Sequence, residues 1–298
     1  MADVTFQMIV FNGDHVLEAV LETILPYGKV VVTEGPVAYW QRQGFVTSTD
    51  RTNEILADLV GEENVVHGQW DEKDQMVNAS LHLVPDKTTH IWGVDADECY
   101  KRKDLELILG WLDGWDSVSF KMYSFFGGFD RYMTGFEENF EVHRIKRWYP
   151  GARWATHRPP TILSPDGTPW RNARHLPHTL LAKEHDIRFY HYSYVFPYAM
   201  QDKARYYDSY DPRGNIPEYF WKVYMPWVGG TEYDRGRIEM QYKGVHNWLP
   251  TRRGQCCTKL FTGQHPLEIR KRMAGYKIRF NQEYRSLMVA PPVMWGAT

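Results

Sequence analysis

Three carboxylates fall together in Asp95-Ala96-Asp97-Glu98, directly after the apolar run His90-Ile91-Trp92-Gly93-Val94. Hard divalent cations take carboxylate oxygens as ligands, so acids at this spacing suit Mn²⁺ or Mg²⁺. An apolar run of this length reads as a buried strand, and open α/β sheets bind their ligands at the carboxyl ends of strands. The cluster therefore reads as a cation-binding turn at a strand end. The structural alternative is that Asp95 and Asp97 cap the next helix or sit in a solvated turn.

The elements that must position this turn are legible upstream. Phe6–Phe11 reads as a first strand closed by Asn12-Gly13-Asp14, with Asp14 a plausible N-cap for a helix through Leu25, whose apolar residues recur at helical spacing. Lys29–Thr33 is a second, β-branched strand ending in Glu34-Gly35. After irregular residues 36–47, Ser48-Thr49-Asp50 offers side-chain caps to a helix over 51–60. Asn64–His67 is a third strand, and one helix from about Asp71 to Val84 leads into the strand at 90–94. This alternation predicts an α/β fold with a Rossmann-like, mostly parallel central sheet flanked by helices.

Farther on, Leu105–Leu109 continues a helix and Ser117–Tyr123 alternates like a half-exposed strand. Residues 125–194 are rich in Gly, Pro, Trp and Arg, which predicts short strands and long loops over the ligand edge. Residues 197–225 read as helical in two pieces broken by Asp211-Pro212-Arg213-Gly214, and the segment from 226 onward has no clear period. The expected division is an α/β half that carries the ligand edge (1–124), a loop-rich part of the same domain (125–225) and a C-terminal helical extension (226–298).

Composition excludes several classes. Of 298 residues, 43% are hydrophobic and 24% charged, so the chain is not disordered. A net charge of −2 supplies no general drive toward nucleic acid or anionic membranes. Three cysteines, two of them adjacent, make no disulfide framework and no C-x-x-C pair. With no leader pattern and no run near the ~18 apolar residues of a membrane span, a cytoplasmic location is expected. The 12 Trp and 19 Tyr belong mostly in a core, a minority forming platforms for sugar rings.

Five motifs in order resemble a GT-A nucleotide-sugar glycosyltransferase of the family 2 type, particularly the lipopolysaccharide-core glucosyltransferase-like branch. They are Val30–Gly35, Ser48-Thr49-Asp50-Arg51-Thr52, Trp70–Ala79, Val94–Glu98, and Tyr190-His191-Tyr192-Ser193-Tyr194 with Lys203 and Tyr206-Tyr207 behind it. Two departures stand out. Residues 36–47 separate the acid of strand two from the Ser-Thr-Asp, and Thr156-His157-Arg158-Pro159-Pro160 occupies the stretch where many relatives carry a His-Glu pair.

The resemblance implies a metal-dependent transfer of a sugar from a nucleotide-diphosphate donor, most naturally a UDP-sugar, to an acceptor hydroxyl. A cation held by carboxylates stabilises the departing diphosphate as a Lewis acid. Asp97 is then a metal ligand, Asp95 shares the metal or accepts from the ribose, and His191 adds an imidazole that suits Mn²⁺. Glu34 accepts from the base, Asn12 and Asp50 lie near the nucleoside, and Lys73 and Gln75 meet phosphate or ribose. Candidates for the base that deprotonates the acceptor are His157 and Asp166.

Each residue has a structural alternative. Asp50 suits an N-cap, His191 a satisfied core histidine, Lys73 and Gln75 a solvated helix face, and Asp166 the turn Ser164-Pro165-Asp166-Gly167. Glu98 would stabilise the following helix N-terminus by its charge, and Arg270-Lys271-Arg272 reads as a solvated face. The acceptor is a saccharide or other hydroxyl-bearing group, a nucleic-acid acceptor being disfavoured by the net charge. Two alternative functions remain: a carbohydrate-binding protein on a degenerate transferase scaffold, and a sugar-phosphate nucleotidyltransferase, which needs a Gly-rich phosphate loop after strand one.

Overall fold

A computed structural model describes residues 2–169, 174–210, 213–250 and 254–289. In chain order the strands are β1 (Val4–Val10), β2 (Lys29–Glu34), β3 (Val65–His67), β4 (His90–Gly93), β5 (Glu98–Cys99), β6 (Ser117–Phe120) and β7 (Met122–Phe126). They continue with β8 (Arg131–Met133), β9 (Val142–Arg147), β10 (Arg153–Thr156), β11 (Thr161–Leu163), β12 (His175–Leu176), β13 (Phe189–Tyr194) and β14 (Thr258–Leu260). The helices are α1 (Leu17–Ile24), α2 (Ala38–Gln41), α3 (Thr52–Leu59), α4 (Lys73–Ala79), α5 (Arg102–Trp111) and α6 (Phe136–Asn139). After them come α7 (His178–Glu184), α8 (Pro197–Tyr210), α9 (Met225–Gly229), α10 (Glu232–Tyr242) and α11 (Leu267–Val289).

Two compact units divide the chain. The first comprises residues 1–123, 138–191 and 264–270, the second residues 124–137, 192–263 and 271–298. The units interleave, whereas the expected segments 1–124, 125–225 and 226–298 were consecutive, because strand pairing returns distant stretches of chain to the first unit.

The first unit is built on a seven-stranded sheet in the order β12-β6-β9-β4-β1-β2-β3. β1 runs parallel to β2 and β4, and β2 to β3, which is the expected alternation of strand and helix. β9 enters antiparallel between β4 and β6. The architecture is mixed α/β with a parallel-rich central sheet flanked by helices. Leu17, Val20, Leu21 and Ile24 of α1, at i, i+3, i+4 and i+7, are all fully buried, as one apolar helix face requires. Ile91 of β4 packs with Val77, Trp148, Trp154 and Ile162 in a smaller cluster of the same unit.

Local readings of the chain need three corrections. Asp14 does not cap α1, because the helix starts later, at Leu17, with Val16 in the N-cap position and no side-chain cap. The single helix over 71–84 is α4 followed by a separate 3₁₀ turn at Leu81–Leu83, with Ser80 fully buried between them as a partner of Gln7. The strand over 117–123 is not half-exposed: all four residues of β6 are buried between β9 and β12, and the chain breaks at Lys121 before β7. The helical extension expected after 226, although the sequence there has no clear period, contains the 11-residue α10 and the 23-residue α11.

The second unit gathers an aromatic-rich core around Trp227, Tyr219 and Tyr224, which supports the reading of most aromatics as packing residues. α8 ends at Tyr210 and a π-helical turn begins at Phe220. Asp211 and Pro212, read as part of the break between helices, lie outside the described residues. Cys99, Cys256 and Cys257 are free thiols. No helix among the described residues is long and apolar enough to cross a membrane.

Candidate functional site

Because β1, β2 and β4 are parallel, their carboxyl ends open on one edge of the sheet, where such sheets bind ligands. The turn after β1 is knitted to the Ser-Thr-Asp segment. The N–H groups of Asn12, Gly13 and Asp14 donate to Ser48 Oγ (2.9 Å), Thr52 Oγ1 (2.8 Å) and Asp50 Oδ2 (3.0 Å), and Asn12 Oδ1 accepts from the Thr49 N–H at 2.8 Å. Asp50 also accepts from the Thr52 N–H at 3.0 Å, so it does serve the first turn of α3. Burial lifts its carboxyl above the ordinary range while its hydrogen bonds to Thr52 and Asp14 oppose that shift. Asn12 and Asp50 thus hold two loops together at the strand edge. Gly13 is needed there, since a Cβ would lie 2.5 Å from Val10 Cγ2 and 3.3 Å from Ala96 Cβ.

Glu34, expected to accept from a nucleotide base, is fully buried. Its oxygens accept from the Ser48 N–H (2.8 Å) and the Thr47 hydroxyl (3.1 Å), and His67 Nδ1 lies 3.0 Å away. A carboxylate with these partners and no exposed surface fixes the loop around it rather than offering itself to a base.

Asp95 sits in the centre of a cationic cluster. Its Oδ2 accepts from Arg144 Nη2 at 2.7 Å and from Arg158 Nη2 at 2.9 Å. Burial alone would raise this carboxyl, but Arg144, Arg158, His157 and Lys73 outweigh it and hold Asp95 well below the usual carboxylate range. Arg144 also pairs with Glu98, and burial works against its charge while Asp95 and Glu98 hold it above its ordinary value. Glu98 is not a helix-end residue: it lies in β5, 1% exposed, and burial pushes it up to about 7 despite Arg144. Arg158, standing where a carboxylate was sought, is a partner of Asp95.

Beside Asp95 opens a small cleft. Gln7, His143, Arg144, Lys146 and His157 provide its polar lining and Ile9, Val77, Trp154 and Pro160 its apolar wall. Gln7 is pinned by donating to the Val77 carbonyl (2.6 Å) and accepting from Trp154 Nε1 (2.7 Å). Burial, then Arg158, depress His157 to about 3 in spite of Asp95, so its imidazole is neutral. The backbone N–H of His157 donates to Asp74 Oδ1 at 2.6 Å.

Asp97 and His191 meet as expected. β13 pairs antiparallel with β5, setting His191 opposite Glu98, and His191 Nε2 comes 3.5 Å from Asp97 Oδ1. Lys73 acts electrostatically on both Asp95 and His157, which places it at the cluster. Gln75 is turned away, exchanging hydrogen bonds with the Asp71 N–H (2.9 Å) and Asp71 Oδ2 (3.0 Å) at the exposed start of α4. Asp166 lies in an exposed turn after β11, accepting from Ser164 Oγ (2.6 Å) and the Thr168 N–H (3.0 Å). The structure does not bring it to the cleft.

Sequence reasoning missed Arg144, Lys146, His143 and Gln7. The available signal was the alternation in Glu141-Val142-His143-Arg144-Ile145-Lys146-Arg147, which is a strand pattern carrying charge on both faces.

No protein-family model matches the chain, and no curated protein matches it. Among solved structures it is similar to S. aureus TarS 1-349, at 16% identity and a TM-score of 0.32, over 41% of this chain and 36% of that one. The complex of TarS 1-349 with UDP-GlcNAc matches at the same identity and score, over 35% of its chain. The bifunctional IspDF from Campylobacter jejuni is similar at 13% identity and a TM-score of 0.30, over 49% of this chain and 41% of that one. The chain therefore spans well under half the length of the structures it matches.

Proposed function

We propose that the first unit binds a nucleotide-diphosphate sugar, with a UDP-sugar the first candidate, and transfers the sugar to an acceptor hydroxyl. The observation that carries this reading is the convergence of Arg144, Arg158 and Lys73 on Asp95 at the strand edge, beside the Asp97–His191 pair. Guanidinium and ammonium groups complement a diphosphate, and two of them arrayed on one carboxylate are held ready for it.

The donor set also suits a divalent cation. Asp97 Oδ1 and His191 Nε2, one oxygen and one nitrogen at 3.5 Å, are a mixed pair of the kind Mn²⁺ accepts, and Mg²⁺ is served by the carboxylate. When bound, the cation supplies Lewis-acid stabilisation of the departing diphosphate. Asp95 contributes differently, since its Oδ2 is engaged by both arginines; it orients them. Of the two imidazoles that line the cleft, His157 is the one that acts on Asp95, and it is the candidate to take the acceptor proton. A diphosphate on the arginines offsets the positive charge that depresses it, which raises its basicity toward the useful range.

The nucleotidyltransferase alternative fares worse, because the N–H groups after β1 that would cradle a phosphate already donate to Ser48, Thr52 and Asp50. A binding-only protein is favoured by one observation, the placement of Arg158 on Asp95 where a base was sought.

Thermal denaturation with UDP and a panel of nucleotide sugars, with and without Mn²⁺ or Mg²⁺, tests the proposal. A ligand at about 100 times its Kd contributes about 2.7 kcal/mol, giving a rise in Tm that requires metal and disappears in Asp97→Asn. Release of nucleoside diphosphate separates transfer from binding alone. No shift with any nucleoside diphosphate refutes the proposal.

A further inference from the structure

A second group of potential ligands lies on β9 and the residue before it, on β12 and on α7, apart from Asp95, Asp97 and His191. Glu141, His143 and His175 each present a ligand atom, all within 4.8 Å of one another. His178 joins them: its Nδ1 lies 3.4 Å from Glu141 Oε1. The same oxygen is 3.1 Å from His175 Nε2 and 3.6 Å from His143 Nε2.

The sheet makes this possible. β6 runs between β9 and β12, with Ser119 opposite His143 and Ser117 opposite His175. Two small side chains on the middle strand let imidazoles from both flanking strands lean toward each other, and the rings of His143 and His175 stand 5.2 Å apart. Ser117 Oγ, 2.7 Å from His175 Nδ1, orients that ring. Ser119 Oγ donates to Glu141 Oε1 at 2.6 Å and accepts from the His178 N–H at 3.0 Å, which ties the start of α7 to the group.

Hydrogen bonds account for His175, whose Nε2 lies 3.0 Å from Ser119 Oγ and 3.1 Å from Glu141 Oε1, but leave His143 Nδ1 and His178 Nδ1 without a hydrogen-bond partner among the described residues. Three imidazole nitrogens converge on one carboxylate oxygen. Around a tetrahedral zinc ion with bonds of ~2.0–2.1 Å, neighbouring ligand atoms lie about 3.3 Å apart. The distances of 3.1, 3.4 and 3.6 Å from Glu141 Oε1 bracket that spacing. The side chains of all four residues retain between 16% and 38% exposure, so an ion can reach them.

We infer that Glu141, His143, His175 and His178 form a binding site for one divalent transition-metal ion, Zn²⁺ by preference. Three imidazoles and one carboxylate favour a borderline N-seeking ion over Mg²⁺ or Ca²⁺. The site clamps β9, β12 and α7 across β6, and its role is structural. Ser117 is a positioning residue that acts through His175.

The test uses the full chain, stripped with chelator and titrated with Zn²⁺ and separately with Co²⁺. Expected are one tightly held equivalent of Zn²⁺, a raised Tm, and Co²⁺ absorption bands of tetrahedral intensity. Ser117→Ala should weaken Zn²⁺ binding by about 10- to 100-fold, and His175→Ala or His143→Ala by more. Asp97→Asn, which tests the nucleotide site, should leave the zinc equivalent in place. An octahedral, water-like Co²⁺ spectrum in the unsubstituted protein overturns the inference even if the variants fail to fold. Zinc binding that survives both His175→Ala and His143→Ala also overturns it, as does binding lost in Asp97→Asn but kept in His175→Ala.

Discussion

Replacing Arg144 by methionine tests the electrostatic centre of the site. Methionine keeps the aliphatic bulk near the Phe189 ring, 5.9 Å from the guanidinium carbon, but removes the charge that Asp95 and Glu98 share. Side-chain exposures are 12% for Arg144, 20% for Asp95 and 1% for Glu98, so the two acids are left with little solvent to replace it. Removing one partner of a buried pair costs about 3–5 kcal/mol. The retained Arg158–Asp95 contact places the expected loss at pH 7.5 near the lower end, about 3 kcal/mol.

The sign with pH follows from linkage. Glu98 is already raised to about 7, so its folded form binds more protons than the unfolded chain as pH rises from its ordinary 4.5. Without Arg144 it rises further, and Asp95 rises with it from its depressed value. The variant therefore loses stability faster than the unsubstituted protein between pH 5 and 7.5. The gap should narrow by roughly 1–3 kcal/mol at pH 5, at 1.36 kcal/mol per proton per pH unit. Urea denaturation midpoints at the two pH values measure it. A loss under about 1 kcal/mol at pH 7.5, or a gap no smaller at pH 5, would refute the view that Arg144 neutralises two buried acids.

Two further perturbations probe the frame of the site. His157, depressed to about 3 from an ordinary 6.5, is protonated later in the folded state than in the unfolded one, so its contribution to stability is lost as pH falls through that window. His157→Gln should match the unsubstituted protein in Tm at pH 7 and gain on it at pH 4.5, by at most about 2.7 kcal/mol; parallel Tm profiles would rule this out. Gly35 adopts φ +136°, and a Cβ there would come 1.9 Å from the Gly68 carbonyl oxygen, whereas Gly44 at φ +89° has open space. Gly35→Ala should therefore cost about 2 kcal/mol or more and clearly exceed Gly44→Ala in chemical denaturation; equal losses would contradict the close approach.

The parts of the site legible in the sequence are those with local signatures. An apolar run ending in acids marked the turn after β4, and Ser48-Thr49-Asp50 marked the start of α3. Lys73 and His157 were found through motif order alone, and both act on Asp95. Glu34 shows the limit of such reading: its position at a strand end was plain, but its burial depends on Thr47, Ser48 and His67, which two separate segments deliver. The zinc-type cluster was invisible for the same reason, since Glu141, His143, His175 and His178 share no motif spacing and meet only across β6.

By itself the sequence determined the alternation of strands and helices, the parallel half of the sheet and the acids at its edge, because periodicity and turn chemistry act over a few residues. Only the tertiary structure decided which charges those acids meet. The insertion of β9 between β4 and β6 set Arg144 on Asp95 and Glu98, and the pairing of β13 with β5 brought His191 to Asp97. Ion pairs and ligand sets act over a few ångströms, so their members are chosen by strand neighbourhood, which no local stretch of sequence encodes.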